Sequence, residues 1–379
     1  MAVKSIIPMT YKVDWFQCTE SSDIEKTVTI FNSKFWKFLE KIGYKLSDLE
    51  TVAPRYFYNT GLSLGRYFNV YYDDESKGLN KYSPCNILII WTGQGTTDLA
   101  LKLSKYFKTD DFSEVWYEFF KVVIKLNLRV KRLDIALDDY NSCLSFDALE
   151  NKLRKRQFKS SKRTYNIVKD KNTDGQTRGE TIYLGTRKKH QDGYLIRFYD
   201  KYAEYKSKGA ILPVEVENVV TGMGTHKWQR YEMELHGKAC LSFIKQFLGG
   251  MPFGELYMGL MKNAIVFLDP SSSNKNRNYW KITGWWKDFL NGAKKCNLVE
   301  PSADPDIGRL LRWVRLAVTP SLHLLDDIFK KRGLDIYELI KNVDVPEYAK
   351  KQERLKNEAL DMSDEEIDSY IEQFKRGEY

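Results

Sequence analysis

KRLDIALDD, residues 131–139, is the stretch whose reading decides the fold. Its side chains alternate in character: Arg132, Asp134, Ala136 and Asp138 fall on one face of an extended chain, and Leu133, Ile135 and Leu137 on the other. A period of two predicts a β-strand whose apolar side packs on a core. Two later stretches divide in the same way. KWQRYEMEL (227–235) sets Trp228, Arg230, Glu232 and Glu234 against Tyr231, Met233 and Leu235. YLIRFYDK (194–201) sets Tyr194, Ile196, Phe198 and Asp200 against Leu195, Arg197, Tyr199 and Lys201, which places a tyrosine hydroxyl between two cations on one face.

Outward from these strands the pattern is mixed. VDWFQCT (13–19), ILIIW (87–91) and residues 180–186 read as further strands, and residues 56–72 as a hairpin turning at Asn59-Thr60-Gly61. Helical spacing covers 24–42, 97–106, 111–126, 145–156, 237–248 and 252–268. Strands interspersed irregularly with helices predict an α+β fold: a curved, largely antiparallel sheet with flanking helices. PSADP (301–305) is the best boundary, giving an α+β domain over 1–300 and a helical region over 301–379 whose last helix opens on a capping box of Ser363 and Glu366.

The chain has 379 residues, 42% hydrophobic and 14% aromatic, enough for a large buried core. Its five cysteines are scattered with no CxxC pair, which argues against a disulfide framework and against a zinc knuckle. No apolar run of membrane-spanning length occurs, so a soluble, cytoplasmic protein is expected. Net charge is +9 but uneven: residues 151–190 hold 13 Lys and Arg against 3 Asp and Glu, whereas residues 344–379 hold 6 against 11. Concentrated positive charge attracts a polyanion, and here nucleic acid is the expected partner. The contact candidates are Lys152, Arg154, Lys155, Arg156, Lys159, Lys162 and Arg163, followed by Arg187, Lys188 and Lys189. Residues 152–171 are expected to form a basic loop, whose Lys-rich charge suits gripping a phosphate backbone more than reading bases.

The charged strand faces invite a chemical reading. Clustered carboxylates repel one another unless a cation sits among them, and oxygen ligands suit Mg²⁺ or Mn²⁺. Asp134 and Asp138 lie roughly 13 Å apart along one strand, so one ion needs help from another strand; Asp139 is a further candidate. A metal beside a tyrosine has purpose, because free tyrosine is a weak nucleophile near neutral pH, and a cation that polarises a phosphate offsets this. The plainer alternative is that these are solvent-facing charges satisfied by ion pairs such as Arg132–Glu232.

At these same residues the sequence resembles the replication initiation factor (Rep_trans) family, whose members initiate rolling-circle plasmid replication or act as relaxases of conjugative elements. The matching stretches are RLDIALDDY (132–140), GETIYLGTRKKH (179–190), IRFYDKYAEY (196–205) and WQRYEMEL (228–235), supported by VDWFQCT and ILIIWTGQG. The resemblance spans roughly residues 10–290, and its specificity lies in the ordered set. It implies a single-tyrosine DNA nickase with a metal-dependent carboxylate site and no organic cofactor. Tyr199 would be the nucleophile, with Tyr202 and Tyr205 as rivals that fall past the strand end. Asp134, Asp138 and Glu232 would hold the metal, and Arg197 and Lys201 would face the phosphate. It also admits a homodimer. The four histidines (His190, His226, His236, His323) form no His-hydrophobic-His pair of the kind other rolling-circle nucleases use, so either carboxylates stand in, as the resemblance implies, or the site is not catalytic.

Remaining features read as structural. Gly93-Gln94-Gly95 lacks a following Walker lysine and is expected to be a turn. Trp280, Trp285 and Trp286 are expected in a core cluster rather than stacked on bases. The acidic C-terminal helices suit either a solvated cap or a partner such as a host helicase. Two other functions compete: a DNA-binding protein of this fold that does not cut, and a phosphodiesterase using metal-bound water.

Overall fold

The computed structural model describes residues 9–21, 27–79, 81–175, 177–186, 193–207, 220, 227–290, 314–343, 356, 360 and 364–376. The strands are β1 (Thr10–Glu20), β2 (Glu50–Val52), β3 (Thr60–Leu64), β4 (Phe68–Tyr72), β5 (Ile87–Thr92), β6 (Arg129–Asp139), β7 (Phe158–Ser160), β8 (Tyr165–Lys171), β9 (Thr177–Leu184), β10 (Tyr194–Asp200), β11 (Gln229–His236), β12 (Ile265–Asp269) and β13 (Lys281–Ile282). The helices are α1 (Lys34–Lys41), α2 (Gly93–Phe107), α3 (Phe112–Lys125), α4 (Phe146–Arg154), α5 (Lys201–Ser207), α6 (Lys238–Leu248), α7 (Phe253–Ala264), α8 (Gly284–Leu290), α9 (Thr319–Lys330), α10 (Ile336–Lys341) and α11 (Asp364–Arg376). No described helix is long and apolar enough to cross a membrane.

Ten strands form one sheet in the order β2-β3-β4-β5-β1-β6-β11-β10-β9-β8. Every neighbouring pair in it is antiparallel. The alternation read from sequence orients the central strands: Leu133, Ile135 and Leu137, Tyr231, Met233 and Leu235, and Ile196 and Phe198 share one core. The apolar stripes of α1, α2, α3, α6 and α7 enter the same core. Capping sets where helices begin: Ser33 accepts from Trp36 N at 2.8 Å, and Asp111 from Ser113 N at 2.8 Å. Contacts divide the chain into two compact units, Met1–Leu298 and Val299–Tyr379; the described elements of the second are helical.

Several local expectations are corrected. The hairpin turns at Gly65 and Arg66, both with positive φ (56° and 65°), whereas Asn59 stands before β3 and accepts from Asp74 N. Positive φ suits glycine and is costly for the β-branched Thr60, so the turn goes where the glycine leads it. Gly93-Gln94-Gly95 is the first turn of α2, and a Cβ on Gly95 would lie 2.3 Å from the Tyr67 carbonyl, so this glycine admits close packing. The helix expected over 24–42 is only α1 among the described residues. The basic stretch after α4 is not a loop: it forms β7 and the sheet-edge strand β8. Trp286 is fully buried against Phe267 and Phe289, and Trp285 packs on Phe267. Ser363 lies outside the described residues.

Candidate active site

The sheet face opposite the main core carries a lattice of charge at β6, β11 and β10. Register explains it: Asp134 pairs with Glu234, Ala136 with Glu232 and Asp138 with Arg230. Across β11, Glu232 pairs with Arg197 and Arg230 with Tyr199. Asp134, Asp138, Arg230, Glu232 and Glu234 are all buried, so none of these charges is a solvated surface group. Burying them is costly unless partners are supplied, and the partners are arginines.

Arg132 grips Asp134 with two nitrogens, Nε to Oδ1 at 2.8 Å and Nη2 to Oδ2 at 2.5 Å, and reaches Glu234 Oε2 at 3.0 Å. His236 Nε2 lies 2.9 Å from the other Glu234 oxygen. Arg230 grips Asp138 at 2.6 and 2.9 Å, and Trp228 Nε1 donates to the same carboxylate at 2.7 Å. The third Arg230 nitrogen meets Asp14 Oδ1 at 3.0 Å. Asp14 gets there because a bulge in β1 makes it the extra residue between Val13 and Trp15. The expected Arg132–Glu232 pair is replaced: Glu232 binds Arg197 instead.

Tyr199 is the centre of this lattice. Its hydroxyl donates to Glu232 Oε2 at 3.1 Å. Arg197 and Lys201 flank its ring at 5.4 and 5.5 Å from the centroid. The side chain is 8% exposed. Lys201 begins α5 and binds Glu204 at 2.6 Å. Flanking cations favour a phenolate. Burial outweighs them: it pushes the Tyr199 hydroxyl well above its ordinary range, the Glu232 carboxylate pushes it further, and Arg230 and Arg197 only oppose this. The resting side chain is therefore a protonated donor aimed at a carboxylate. Tyr202 and Tyr205 lie on α5, past the strand end, and Tyr205 packs on Trp228 with centroids 5.2 Å apart.

The three carboxylates named from sequence do not share one location. Burial pushes the Asp134 carboxyl well up; Arg132 opposes this, and Glu232 and Glu234 add to it. Asp134, Glu232 and Glu234 thus form one repelling group, while Asp138 is held apart by Arg230 and Trp228. Asp139 turns away to the other side, where it accepts from the backbone of Asn141 and Cys143 at 2.8 and 2.7 Å. Among the described residues no three His, Cys, Asp or Glu side chains already stand as a metal cage. The donors are all oxygen and buried, as a hard divalent cation requires, and an ion there would share them with Arg132 and Arg197. Glu234 and Arg230 were visible on the strand face but not singled out. Asp14 had no sequence signal, because a bulge cannot be read from alternation.

The basic candidates are also divided. Lys155, Arg156, Lys159 and Arg163 are exposed, as is Arg154, which pairs with Glu150 at 2.7 Å. Lys152 instead turns inward to Leu268 O and Asp269, each at 2.7 Å, and Lys162 is buried over the Tyr194 ring. Arg187, Lys188 and Lys189 lie outside the described residues.

A family model described as replication initiation factor matches residues 128–341, more than half of the chain and all of β6, β10 and β11. The chain belongs to the replication initiation factor family. It is 26% identical over 322 residues to "Putative DNA relaxase NicK" of Bacillus subtilis (strain 168), covering 83% of each chain. The fold is that of the rolling circle replication initiator protein from Geobacillus stearothermophilus, with a TM-score of 0.57 and 22% identity over 76% of this chain and 97% of that one. Within the family match, the strand faces that carry charge are the ones that meet around Tyr199.

Proposed function

We propose that this member of the replication initiation factor family nicks and rejoins one DNA strand at an origin, with Tyr199 as nucleophile. One observation carries the reading: a buried tyrosine hydroxyl held 3.1 Å from a carboxylate, between Arg197 and Lys201, on the polar face of the sheet. Nothing in core packing needs that arrangement, since Ile196 and Phe198 face the core from the same strand.

The chemistry follows from the contacts. The Tyr199 oxygen attacks the scissile phosphorus, and Glu232 is placed to take the hydroxyl proton. The new bond is a 5′-phosphotyrosine link; the P–O3′ bond breaks, and the leaving oxygen takes a proton from solvent to give a free 3′-hydroxyl end. Arg197 and Lys201 meet the non-bridging oxygens, where negative charge builds as the phosphorus becomes five-coordinate. Asp134 and Glu234 would hold a divalent ion, Mg²⁺ or Mn²⁺, with Glu232 left to the Tyr199 proton and Asp138 kept to its arginine. Bound there, the ion offsets the carboxylates and polarises the phosphate. Reversal of the attack rejoins the strand, because the phosphotyrosine keeps the energy of the broken linkage.

The test is nicking of a supercoiled plasmid that carries the chain's own origin, with Mg²⁺ or Mn²⁺, followed by denaturing separation of protein-linked DNA. Nicked circles with protein on the 5′ end support the reading. Tight origin binding without nicking supports instead a non-cleaving DNA-binding protein of this fold, and nicking without linked protein supports attack by metal-bound water.

A further inference from the structure

Beside Tyr199 the sheet opens into a cavity of about 240 Å³ between β8, β9, β10 and α5. Its floor is Gly179, Thr181 and Tyr183, alternate residues of β9 on the face that bears Arg197 and Tyr199. Gly179 is the unexpected member. A glycine inside a strand weakens it, and where it is kept it marks a bulge or the close approach of another group. A bulge does lie here, with Arg178 as the extra residue between the Asp170–Gly179 and Lys171–Thr177 pairs. That bulge does not require glycine, because the Gly179 φ is not positive. Nor does any described neighbour crowd it: among the described residues an added Cβ would meet nothing within 4 Å. The backbone and packing of the described residues thus leave the missing side chain unexplained.

The walls indicate what enters. Asp170 and Glu204 line the cavity, while the Glu180 carboxylate pairs with Lys169 on the other face of the sheet; carboxylates repel a phosphate. The cations that suit a phosphate, Arg197 and Lys201, stand beside the Tyr199 ring. A strand whose scissile phosphate sits at Tyr199 would therefore place its uncharged part over Gly179, where Tyr183 offers a ring and the carboxylates and Arg178 offer hydrogen-bonding groups for a base edge. We propose that this cavity receives the nucleobase adjoining the scissile phosphate and so selects the nucleotide beside which the chain nicks. The proposal rests on Tyr199 being the nucleophile.

The experiment measures single-turnover adduct formation on single-stranded origin oligonucleotides, with the native base or an abasic site at each nucleotide flanking the nick. Wild type is expected to lose at least about tenfold at one flanking position. Gly179→Val, which extended backbone accepts, should lose about tenfold on the native oligonucleotide yet lose little more on the abasic one. Gly179→Ala should lie between and serves if the larger variant melts early. Two results overturn the proposal while leaving the nucleophile in place: Gly179→Val forming adduct at the wild-type rate, or an abasic penalty that is absent in wild type or undiminished in the variant. Absence of any adduct at Tyr199 in wild type overturns the nucleophile and this pocket with it.

Discussion

At the scale of single residues, the site is a set of buried charges whose partners decide their roles. Glu232 is fully buried between Arg197 and the Tyr199 hydroxyl. Glu232→Gln keeps the shape and an acceptor oxygen but removes the proton acceptor. We expect nicking to fall by roughly 10²–10⁴-fold, the range general-base catalysis supplies, with origin binding unchanged in a gel-shift titration. A loss confined to binding would show that Glu232 only shapes the surface. Asp14 gives a stability test. Burial pushes its carboxyl up, but Arg230 and Lys12 outweigh burial and bring it down to about 2. Its folded value thus lies below the ordinary unfolded value near 3.9. The stabilisation is complete above about pH 4 and is lost as pH falls toward 2. Asp14→Asn is expected to cost roughly 2 kcal/mol in urea unfolding at pH 7, with the gap to wild type closing between pH 4 and 2. A gap that does not change with pH would mean that the Arg230 contact contributes nothing electrostatic.

At the scale of elements, β6, β10 and β11 were legible because polar and apolar residues alternate along most of each, and register then did the rest. Alternation says which residues share a face but not which strands are neighbours. This is why Glu232 was expected beside Arg132 and instead meets Arg197, and why Asp138 was grouped with carboxylates that Arg230 keeps it from. Bulges and positive-φ turns were not legible. Asp14 reaches Arg230 only through an inserted residue, and the hairpin turn includes Arg66 at a φ most residues avoid. The basic stretch was read as a loop because an edge strand carries lysines where a central strand carries apolar residues. Its charges do not act together, since Lys152 and Lys162 face inward. Replacing the exposed Lys155, Arg156, Lys159 and Arg163 with alanine is expected to weaken origin binding and to reduce the slope of log K against log salt by about 0.9 per lost duplex phosphate contact. Lys152→Ala should leave that slope unchanged. An unaltered slope in the fourfold variant would put the DNA on another surface.

At the scale of the whole molecule, one antiparallel sheet has a face for the core and a charged face on which the proposed chemistry would take place. Composition and alternation were enough to anticipate an α+β chain with a helical end, but the ten-strand order, which brings β6, β11 and β10 side by side, depends on contacts between distant parts of the sequence. The proposed chemistry is attack on DNA by one tyrosine of this face. The most direct measurement traps the covalent product on an origin oligonucleotide, digests it and maps the nucleotide-bearing peptide by mass spectrometry, for wild type and for Tyr199→Phe, Tyr202→Phe and Tyr205→Phe. The expected result is a modified Tyr199 in wild type and in the two α5 variants, with no adduct and no nicking in Tyr199→Phe, although that variant folds and binds. An adduct on Tyr202 or Tyr205, or nicking by Tyr199→Phe at the wild-type rate, would contradict the account.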